Sequence, residues 1–367
     1  MKSHEQGVCC LTVSQGFLYS GSFDTTIAKW DIKEKTLVAT YKGHSEAVYR
    51  LAVRENWLIS ASRDKTVRVW REKDSKCVAV LKGHTGPVLS LAVQEDILFT
   101  GADDCTIRQW DWLSGSQLRE YMGHTDCVTD LKVQGDSLYS SSFDSTIRVW
   151  DTQTGQCVRV CKANAGMRGI TLTAGKIFGA GNDAHLYVWD QNSAQTEPLT
   201  SDHEHKDRVL AVTVAGEGEV VFSASADCSI KKWDVATGRC LETLSGHSDW
   251  VSCLLVSEGS LFSGSWDSSI RKWDVATCRF IAELNAHNDP IYCLAAGVGV
   301  VFSGSRDCTI RAWRTDTGEC IFVYEGHTAV VASLVVADPY IYSASWDKTI
   351  RWVLYPPSHA SYLAILL

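Results

Sequence analysis

The sequence repeats an aspartate at a nearly constant interval along its whole length. Of the eight intervals between successive copies, six are 40 residues long and the other two are 39 and 44 residues long. A fixed period of about 20 to 50 residues is typical of proteins built from stacked repeats. The 367 residues therefore predict one repeat domain rather than the two or three domains that this length usually indicates. The repeated residues are Asp24, Asp64, Asp104, Asp144, Asp183, Asp227, Asp267, Asp307 and Asp347.

Each interval reads as four short strands separated by turn residues. In the second repeat we expect them at 48–53, 57–62, 66–70 and 77–81, where β-branched and aromatic residues lie between turn signals. Four-stranded meanders of this length are typical of β-propeller blades. A histidine also precedes most copies of the aspartate by about 20 residues. These histidines are His4, His44, His84, His124, His205, His247, His287 and His327.

Short motifs recur with the aspartate: Gly-His before the first strand, Ser-x-Ser-x-Asp at the turn and Thr-Ile-x-x-Trp in the third strand. Several third strands end in Trp-Asp, as at Trp30–Asp31 and Trp110–Asp111. In these motifs, over nearly the whole chain, the sequence resembles the WD-repeat β-propeller family, and its repeats are closest in style to those of F-box-type WD-repeat proteins. The resemblance implies an all-β fold, a single closed β-propeller of four-stranded WD-repeat blades.

We expect residues 1–367 to form one WD-repeat propeller domain with nine units in one ring, because the spacing shows no linker. The alternative is an eight-bladed ring with a displaced or incomplete terminal unit, since the last repeat departs from the pattern. Its Trp352 falls one residue early and would face the wrong side of its strand. The approximate units are 4–43, 44–83, 84–123, 124–162, 163–204, 205–246, 247–286, 287–326 and 327–367.

The repeated His and Asp are predicted to meet at one end of each blade, because successive strands of a meander reverse direction. The spacing permits a buried chain of hydrogen bonds from the Asp to the His, to a hydroxyl four residues before the Asp, and to the third-strand Trp. The resemblance implies the same chain. Residues repeated on separate blades cannot converge on one ion or substrate, so we expect a structural role, with no metal, cofactor or catalytic residue. The predicted network residues are His44, Ser60, Asp64, Trp70, His84, Thr100, Asp104, Trp110, His124, Ser140, Asp144, Trp150, His247, Ser263, Asp267, Trp273, His287, Ser303, Asp307 and Trp313.

The residue just before each turn aspartate varies between repeats, and it lies at the same end as the histidine loops. Variable positions on a repeat scaffold are free to specify a partner. Several carry the aromatic or arginine side chains that are enriched at binding hot spots. They suit either an acidic or phosphorylated peptide or a cationic side chain held over the rings, and the sequence does not choose between these. The predicted partner-binding residues are Phe23, Arg63, Phe143, Trp266, Arg306 and Trp346 at this position, together with Trp250, which lies near the start of its blade at the same end.

Charge and composition limit the classes of partner. With 35 Lys and Arg against 43 Asp and Glu, the formal net charge is −8, which disfavours nucleic acid and anionic membrane surfaces. The longest apolar stretches are far shorter than the ~20 residues that cross a bilayer, and the N-terminus lacks the apolar core of a secretory signal. We therefore expect an intracellular protein, cytoplasmic rather than nuclear, whose 14 cysteines are reduced and structural.

The sequence predicts a non-enzymatic protein–protein interaction scaffold. It would bind a partner protein or peptide on the face formed by the His loops and Asp turns, as a monomeric propeller within a complex. The alternative is the substrate-recognition part of a ubiquitin-ligase receptor that reads an acidic or phosphorylated motif. A propeller enzyme is a third alternative, but it would need a deep channel site with a perturbed acid–base pair, which the sequence does not show.

Overall fold

Each repeat folds into one antiparallel sheet whose strands follow one another in chain order, and nine such sheets form the blades of a ring. The computed structural model describes residues 4–355 apart from residues 35, 174, 182, 184, 185, 194–204, 217, 218, 338 and 339. Within this part of the chain, seven blades have four strands, and blades 5 and 9 have three. The predicted all-β, nine-bladed propeller is confirmed, and the eight-bladed alternative is not what the chain adopts.

The first strands of neighbouring blades contact one another, so the first strand of each blade lies nearest the centre of the ring and the fourth lies at the rim. The strands of blades 1 to 4 are β1 (Val8–Ser14), β2 (Phe17–Ser22), β3 (Ile27–Asp31), β4 (Leu37–Tyr41), β5 (Val48–Arg54), β6 (Trp57–Ser62), β7 (Thr66–Arg71), β8 (Lys76–Lys82), β9 (Val88–Gln94), β10 (Ile97–Ala102), β11 (Ile107–Asp111), β12 (Ser116–Tyr121), β13 (Val128–Gln134), β14 (Ser137–Ser142), β15 (Thr146–Asp151) and β16 (Cys157–Lys162).

The strands of blades 5 to 9 follow the same plan. They are β17 (Met167–Thr173), β18 (Lys176–Gly181), β19 (Leu186–Asp190), β20 (Val209–Ala215), β21 (Val220–Ser225), β22 (Ile230–Asp234), β23 (Cys240–Leu244), β24 (Val251–Ser257), β25 (Ser260–Ser265), β26 (Ser269–Asp274), β27 (Phe280–Asn285), β28 (Ile291–Gly297), β29 (Val300–Ser305), β30 (Ile310–Arg314), β31 (Cys320–Tyr324), β32 (Val331–Ala337), β33 (Tyr340–Ser345) and β34 (Ile350–Leu354).

Among the described residues, the turn between the second and third strands holds a non-glycine residue in the left-handed region in eight blades. In blade 2 this residue is Lys65, whose N–H donates to the Ser62 carbonyl at 3.3 Å. A left-handed residue after a type I turn is a common hairpin geometry, but it costs an L-residue about 1–2 kcal/mol. The turn therefore needs an additional stabilising contact, which the preceding aspartate provides. The residues, with φ between 66° and 74°, are Thr25, Lys65, Cys105, Ser145, Cys228, Ser268, Cys308 and Lys348.

The hydrophobic core lies between neighbouring blades. Phe99 and Ile107 of blade 3, for example, pack with Leu138 and Trp150 of blade 4 in one cluster. Because each sheet is covered on both faces, its second strand is buried on both sides, and residues 98–102 are all buried. A blade on its own would expose these surfaces, so the blades stabilise one another around the ring.

The ring closes where blade 9 packs against blade 1. Tyr342 and Ile350 of blade 9 share a buried cluster with Leu18 and Trp30 of blade 1. The Tyr342 hydroxyl also donates to the Ile32 carbonyl at 3.1 Å. These contacts join the first and last blades directly.

The junction between blades 5 and 6 contains a cavity beside its buried cluster. A cavity of about 290 Å³, whose lining includes Phe178 and Val209, lies between β17 and β20. At five other junctions a first-strand hydroxyl or thiol donates to the next blade, as the Thr129 hydroxyl does to the Met167 carbonyl at 2.8 Å. Blade 5 has an arginine and Gly169 at the two positions that supply these donors. Blade 5 therefore has neither a hydroxyl nor a thiol at these two positions.

In three blades a first-strand cysteine lies opposite a second-strand glycine. A Cβ at residue 304 would lie 2.6 Å from Cys293 Sγ and 2.7 Å from Val331 Cγ1 of the next blade. Blade 6 has alanine at both positions instead. The space between the two strands thus has a fixed volume, which the cysteine side chain fills because the residue opposite it is a glycine. The three pairs are Cys10 with Gly21, Cys253 with Gly264, and Cys293 with Gly304.

We expect Gly304→Ala to lower the free energy of unfolding by about 1–3 kcal/mol, because it overpacks a filled junction. Adding Cys293→Ala recovers part of this loss, since the double variant has the same residues as Ala211 and Ala224, which pack against Val251 in blade 6. Urea unfolding of the wild type, both single variants and the double variant measures the coupling between the sites. A double variant no more stable than Gly304→Ala would contradict the shared-volume account.

Candidate functional site

The turn aspartate ties two segments together at one end of each blade. In blade 2, Asp64 Oδ2 accepts hydrogen bonds from His44 Nδ1 at 2.7 Å and from the N–H of Ser45 at 3.0 Å. Its Oδ1 accepts from the N–H of Thr66 at 2.9 Å and from the Thr66 hydroxyl at 2.6 Å. The carboxylate thus joins the loop before the first strand to the turn between the second and third strands. We call the end of the propeller formed by these loops and turns the His–Asp face.

From the histidine, the hydrogen bonds continue into the interior of the blade, and each group in the chain has a defined role as donor or acceptor. A carboxylate only accepts, so His44 carries its proton on Nδ1 and its Nε2 accepts. Nε2 lies 2.8 Å from the Ser60 hydroxyl, which donates to it, and the Ser60 oxygen accepts from Trp70 Nε1 at 2.8 Å. Every member of the chain is satisfied, which is the condition under which a buried polar network stabilises a fold.

The same chain is complete in seven blades. The His–Asp distances are 2.7–3.0 Å and the His–hydroxyl distances 2.7–2.8 Å. The indole–hydroxyl distances are 2.7–2.9 Å in six blades and 3.5 Å in blade 1. The structure brings together all twenty predicted network residues of blades 2, 3, 4, 7 and 8. The chain is also complete in blades 1 and 6. There it is formed by His4, Ser20, Asp24 and Trp30, and by His205, Ser223, Asp227 and Trp233.

Blade 5 replaces the chain with a different contact. Gly179 stands where the other blades have Ser or Thr, and the space beside it holds Met167 and Trp189. The Tyr187 hydroxyl donates to Asp183 Oδ2 at 2.6 Å and accepts from the N–H of Asn164 at 3.0 Å. Tyr187 therefore links the turn to the loop, as the histidine does elsewhere.

Blade 9 lacks the indole. His327 lies 2.7 Å from Asp347 and 2.8 Å from Ser343, but Val353 lies opposite Ile341, at the position that the tryptophan occupies in the other blades. Trp352 lies one residue earlier and contacts a tyrosine ring of its own blade at 5.8 Å. The early tryptophan is thus accommodated outside the chain of hydrogen bonds.

These hydrogen bonds keep the turn carboxylates ionised. Burial alone raises the pKa of Asp64, but the hydrogen bonds from His44 and Thr66 outweigh it and hold the pKa well below the ordinary value of 3.8. The same balance lowers the pKa of Asp347 to about 2. Burial lowers the pKa of His4 below 6.5, against the opposing effect of Asp24. At His4 a neutral imidazole beside the carboxylate is therefore the stable state at neutral pH.

In eight blades, among the described residues, a backbone hydrogen bond positions the variable residue before the turn aspartate. The N–H of Trp266 donates to the Trp250 carbonyl at 2.8 Å, and the N–H of Trp346 donates to the Val330 carbonyl at 3.0 Å. The N–H of Arg306 makes the equivalent bond, at 2.9 Å. The side chains that differ between blades are therefore presented from equivalent, fixed backbone positions on the His–Asp face.

Four aromatic residues of blades 7 to 9 form a continuous row on this face, which we call the aromatic run: Trp250, Trp266, Tyr292 and Trp346. The rings of Trp250 and Trp266 have centroids 4.5 Å apart, and those of Trp266 and Tyr292 lie 6.0 Å apart and nearly parallel. Tyr292 and Trp346 lie 5.9 Å apart at an interplanar angle of 72°. Three of the predicted partner-binding residues are thus joined through Tyr292.

The other predicted binding residues lie apart from the aromatic run. Phe23 and Arg63 line a cavity of about 420 Å³ between blades 1 and 2, where Arg63 pairs with Glu46 at 3.2 Å. Arg306 is exposed on blade 8. Phe143 of blade 4 packs beside the loop of blade 5. The predicted binding residues are therefore joined by ring contacts only within the aromatic run.

Sequence reasoning missed Tyr292, Tyr49 and Arg208. Tyr49 contacts Phe23 at 6.4 Å between ring centroids, and the Arg208 guanidinium lies 5.1 Å from the Trp250 ring centroid. Tyr292 and Tyr49 are the second residues of their first strands, a position at which the repeats also vary. Comparing the repeats at that position, as was done at the turn, would have found both.

The part of the chain that the structure describes contains no group of three or more His, Cys, Asp or Glu side chains arranged to hold a metal ion. Within the same ranges, no helix has the length and apolar character needed to cross a membrane. All 14 cysteines are free thiols.

The repeats match a known family. The model of the WD domain, G-beta repeat, matches eight segments, and the chain belongs to this WD40 family: 1–31, 35–71, 75–111, 115–151, 196–234, 238–274, 278–314 and 318–352. The unmatched residues 152–195 cover most of blade 5, where the hydrogen-bond chain is replaced. Propellers of this family commonly serve as protein-interaction scaffolds and are generally non-enzymatic.

Individual relatives cover the chain to different extents. An uncharacterized WD repeat-containing protein of Schizosaccharomyces pombe, C126.01c, is 51% identical over 43 residues, 12% of each chain. Nuclear distribution protein PAC1 of Fusarium vanettenii is 32% identical over 93 residues, 23% of this chain and 20% of that protein. The aligned part is thus a small fraction of either relative. A crystal structure of the computationally designed Ika8 protein matches 97% of this chain and 98% of its own, with 28% identity and a TM-score of 0.68.

Ser60→Ala is expected to lower the free energy of unfolding by about 1–3 kcal/mol, because it leaves His44 Nε2 and the Trp70 indole buried without their partner. Ser45→Ala is the matched control, since the Ser45 side chain is exposed and only its backbone N–H bonds to Asp64. Denaturant unfolding of both variants measures the difference. Equal stability of the two variants would contradict the role of the hydroxyl.

Acid is expected to destabilise the propeller in two stages. Because the folded pKa of His4 and of His327 lies below 6.5, the unfolded chain gains protons first, and stability begins to fall below about pH 6.5. The turn aspartates have depressed pKa values in the folded state, so their stabilisation is present above about pH 4 and is lost as the pH falls towards about 2. Melting temperatures measured between pH 7 and 2 give the profile.

Asp64→Asn is expected to flatten the lower stage of that profile, since one depressed carboxyl is removed. Asp96→Asn serves as its control, because Asp96 is exposed in a turn at the opposite end of the propeller. A profile as steep for Asp64→Asn as for Asp96→Asn would show that the turn carboxylate does not control acid stability.

Proposed function

We propose that the protein is a non-enzymatic interaction scaffold that binds a partner protein through the aromatic run on its His–Asp face. The aromatic run is the observation that carries this proposal. Aromatic side chains on a rigid support are the residues most often found at binding hot spots, because they bury a large area at a small cost in conformational entropy.

The exposure of the run supports a binding role rather than a packing role. Trp346 is 56% exposed and the other three members of the run are half-buried, whereas the repeated tryptophans Trp70 and Trp110 are at most 2% exposed. Large exposed aromatic groups are unfavourable in water unless a partner covers them. The repeated tryptophans are thus buried, whereas the tryptophans of the run are partly or largely exposed.

The support beneath the run is rigid. Trp266 and Trp346 each precede a turn aspartate that is hydrogen-bonded to a histidine, at 2.8 Å for Asp267 and 2.7 Å for Asp347. A site presented by fixed backbone loses little entropy on binding. The hydrogen-bond chain therefore serves the binding face as well as the fold.

The double variant Trp266→Ala/Trp346→Ala is expected to lose a specific set of partners, because it removes two of the three tryptophans of the aromatic run, including the exposed Trp346. The matched control is Leu113→Ala/Val298→Ala, which removes exposed apolar side chains from the opposite end of the propeller. The measurement is affinity capture with mass spectrometry from cells that express the protein, with the melting temperature of each variant checked first.

The proposal predicts partners that the wild type and the control capture and that the Trp266→Ala/Trp346→Ala variant does not. Capture of the same proteins by all three chains, with melting temperatures unchanged, would place the binding surface elsewhere.

A further inference from the structure

We propose that the aromatic run binds a lysine or arginine side chain of the partner, held in the corner between Tyr292 and Trp346. This inference rests on the proposed function and specifies the chemistry of the partner. Either cationic or acidic peptides could suit aromatic and arginine groups in general, and three features of blades 6 to 9 favour the cationic peptide.

The first feature is the geometry of the corner. The rings of Tyr292 and Trp346 meet at 72° with centroids 5.9 Å apart, and Trp346 is 56% exposed. A cation is attracted to a ring when it lies within about 6 Å of the centroid. Two rings at a steep angle leave an open corner in which one cation lies near both. The nearly stacked pair Trp250 and Trp266 leaves no such space between its rings.

The second feature is that the chain already uses a cation at the other end of the run. The Arg208 guanidinium of blade 6 lies 5.1 Å from the centroid of the Trp250 ring. Among the described residues, no lysine or arginine occupies the equivalent place over Trp266, Tyr292 or Trp346. At one end of the run, a cation of the chain itself therefore already lies over Trp250. At the other end, the rings of Tyr292 and Trp346 remain available to a cation of the partner.

The third feature is the charge around the run. The loops and turns of the His–Asp face in blades 6 to 9 carry eight carboxylates against four cationic side chains. One of the four, Arg208, is already engaged with Trp250 and lies 3.7 Å from Asp207. The surroundings of the run are thus complementary to a cationic partner and repel an acidic one. The carboxylates are Asp207, Asp227, Asp249, Asp267, Asp289, Asp307, Glu325 and Asp347, and the cations are Lys206, Arg208, Arg306 and Lys348.

The arginines predicted as binding residues do not reverse this balance. Arg63 pairs with Glu46 at 3.2 Å and lies on blade 2, away from the run. Arg306 is the remaining exposed arginine on blade 8, beside Asp307 in the sequence, and its N–H bonds to Pro290, the residue after Asp289. A phosphorylated or acidic peptide would have to approach through these carboxylates.

The test is a selection of peptides from a random dodecapeptide phage library on the immobilised full chain. Phage that also bind the Trp346→Ala variant are removed, so that only peptides dependent on the corner remain. Trp346 is largely exposed, so this variant is expected to fold, and its melting temperature is measured first.

We expect the selected peptides to be enriched in Lys and Arg relative to the unselected library. Trp346-dependent peptides enriched in Asp and Glu, or showing no charge preference, would overturn the inference while leaving the proposed binding face intact. If no peptide distinguishes the wild type from Trp346→Ala, the inference and the proposed face both fail.

A synthetic peptide from the selection then tests the role of the carboxylates. Asp289→Asn is expected to weaken its binding by about two- to fivefold, the range for one partly exposed charge, and added salt is expected to weaken it further. Asp96→Asn, at the opposite end of the propeller, is the control and should leave the dissociation constant unchanged. Equal affinity of the wild type and Asp289→Asn, without salt dependence, would contradict cationic recognition.

Discussion

The architecture depends on the carboxylate of one turn aspartate in each blade. In blade 2, Asp64 accepts four hydrogen bonds, and these come from both the histidine loop and its own turn. They stabilise a turn whose next residue, Lys65, adopts a left-handed conformation. Through His44 the same carboxylate is linked to a buried hydroxyl and a buried indole. One interaction therefore fixes the turn, the loop and the interior of the blade.

This arrangement separates the residues that build the ring from those free to contact a partner. The aspartate must be constant, but the residue before it is held only by its backbone N–H, so its side chain can vary without cost to the turn. In blades 7 and 9 that residue is Trp266 or Trp346. The aromatic run thus arises from variation at one position together with Tyr292 of a neighbouring strand. The repeated residues make the support rigid, and the residues that differ between repeats are the ones available to bind a partner.

The repeat period made the fold and most of the hydrogen-bond chain predictable, because the same residue types recur at the same positions in nearly every repeat. The features that sequence reasoning missed involve residues from different repeats. Tyr292 joins Trp266 to Trp346 across three blades, and Arg208 lies over Trp250 of the next blade. Such contacts depend on how the blades are placed around the ring, which spacing within one repeat does not specify. The replacement of the histidine by Tyr187 in blade 5 was hidden for a related reason, since it uses a strand position that carries arginine or lysine in most repeats.

Native-state hydrogen exchange, followed by mass spectrometry, tests most directly whether the hydrogen-bond chain sets the stability of each blade. Blade 5 lacks the chain at Gly179, and a cavity of about 290 Å³ separates it from blade 6. Peptides covering β17 and β18 should therefore exchange through openings of lower free energy than peptides covering β24 and β25 of blade 7. Equal or greater protection of β17 and β18 would contradict the account.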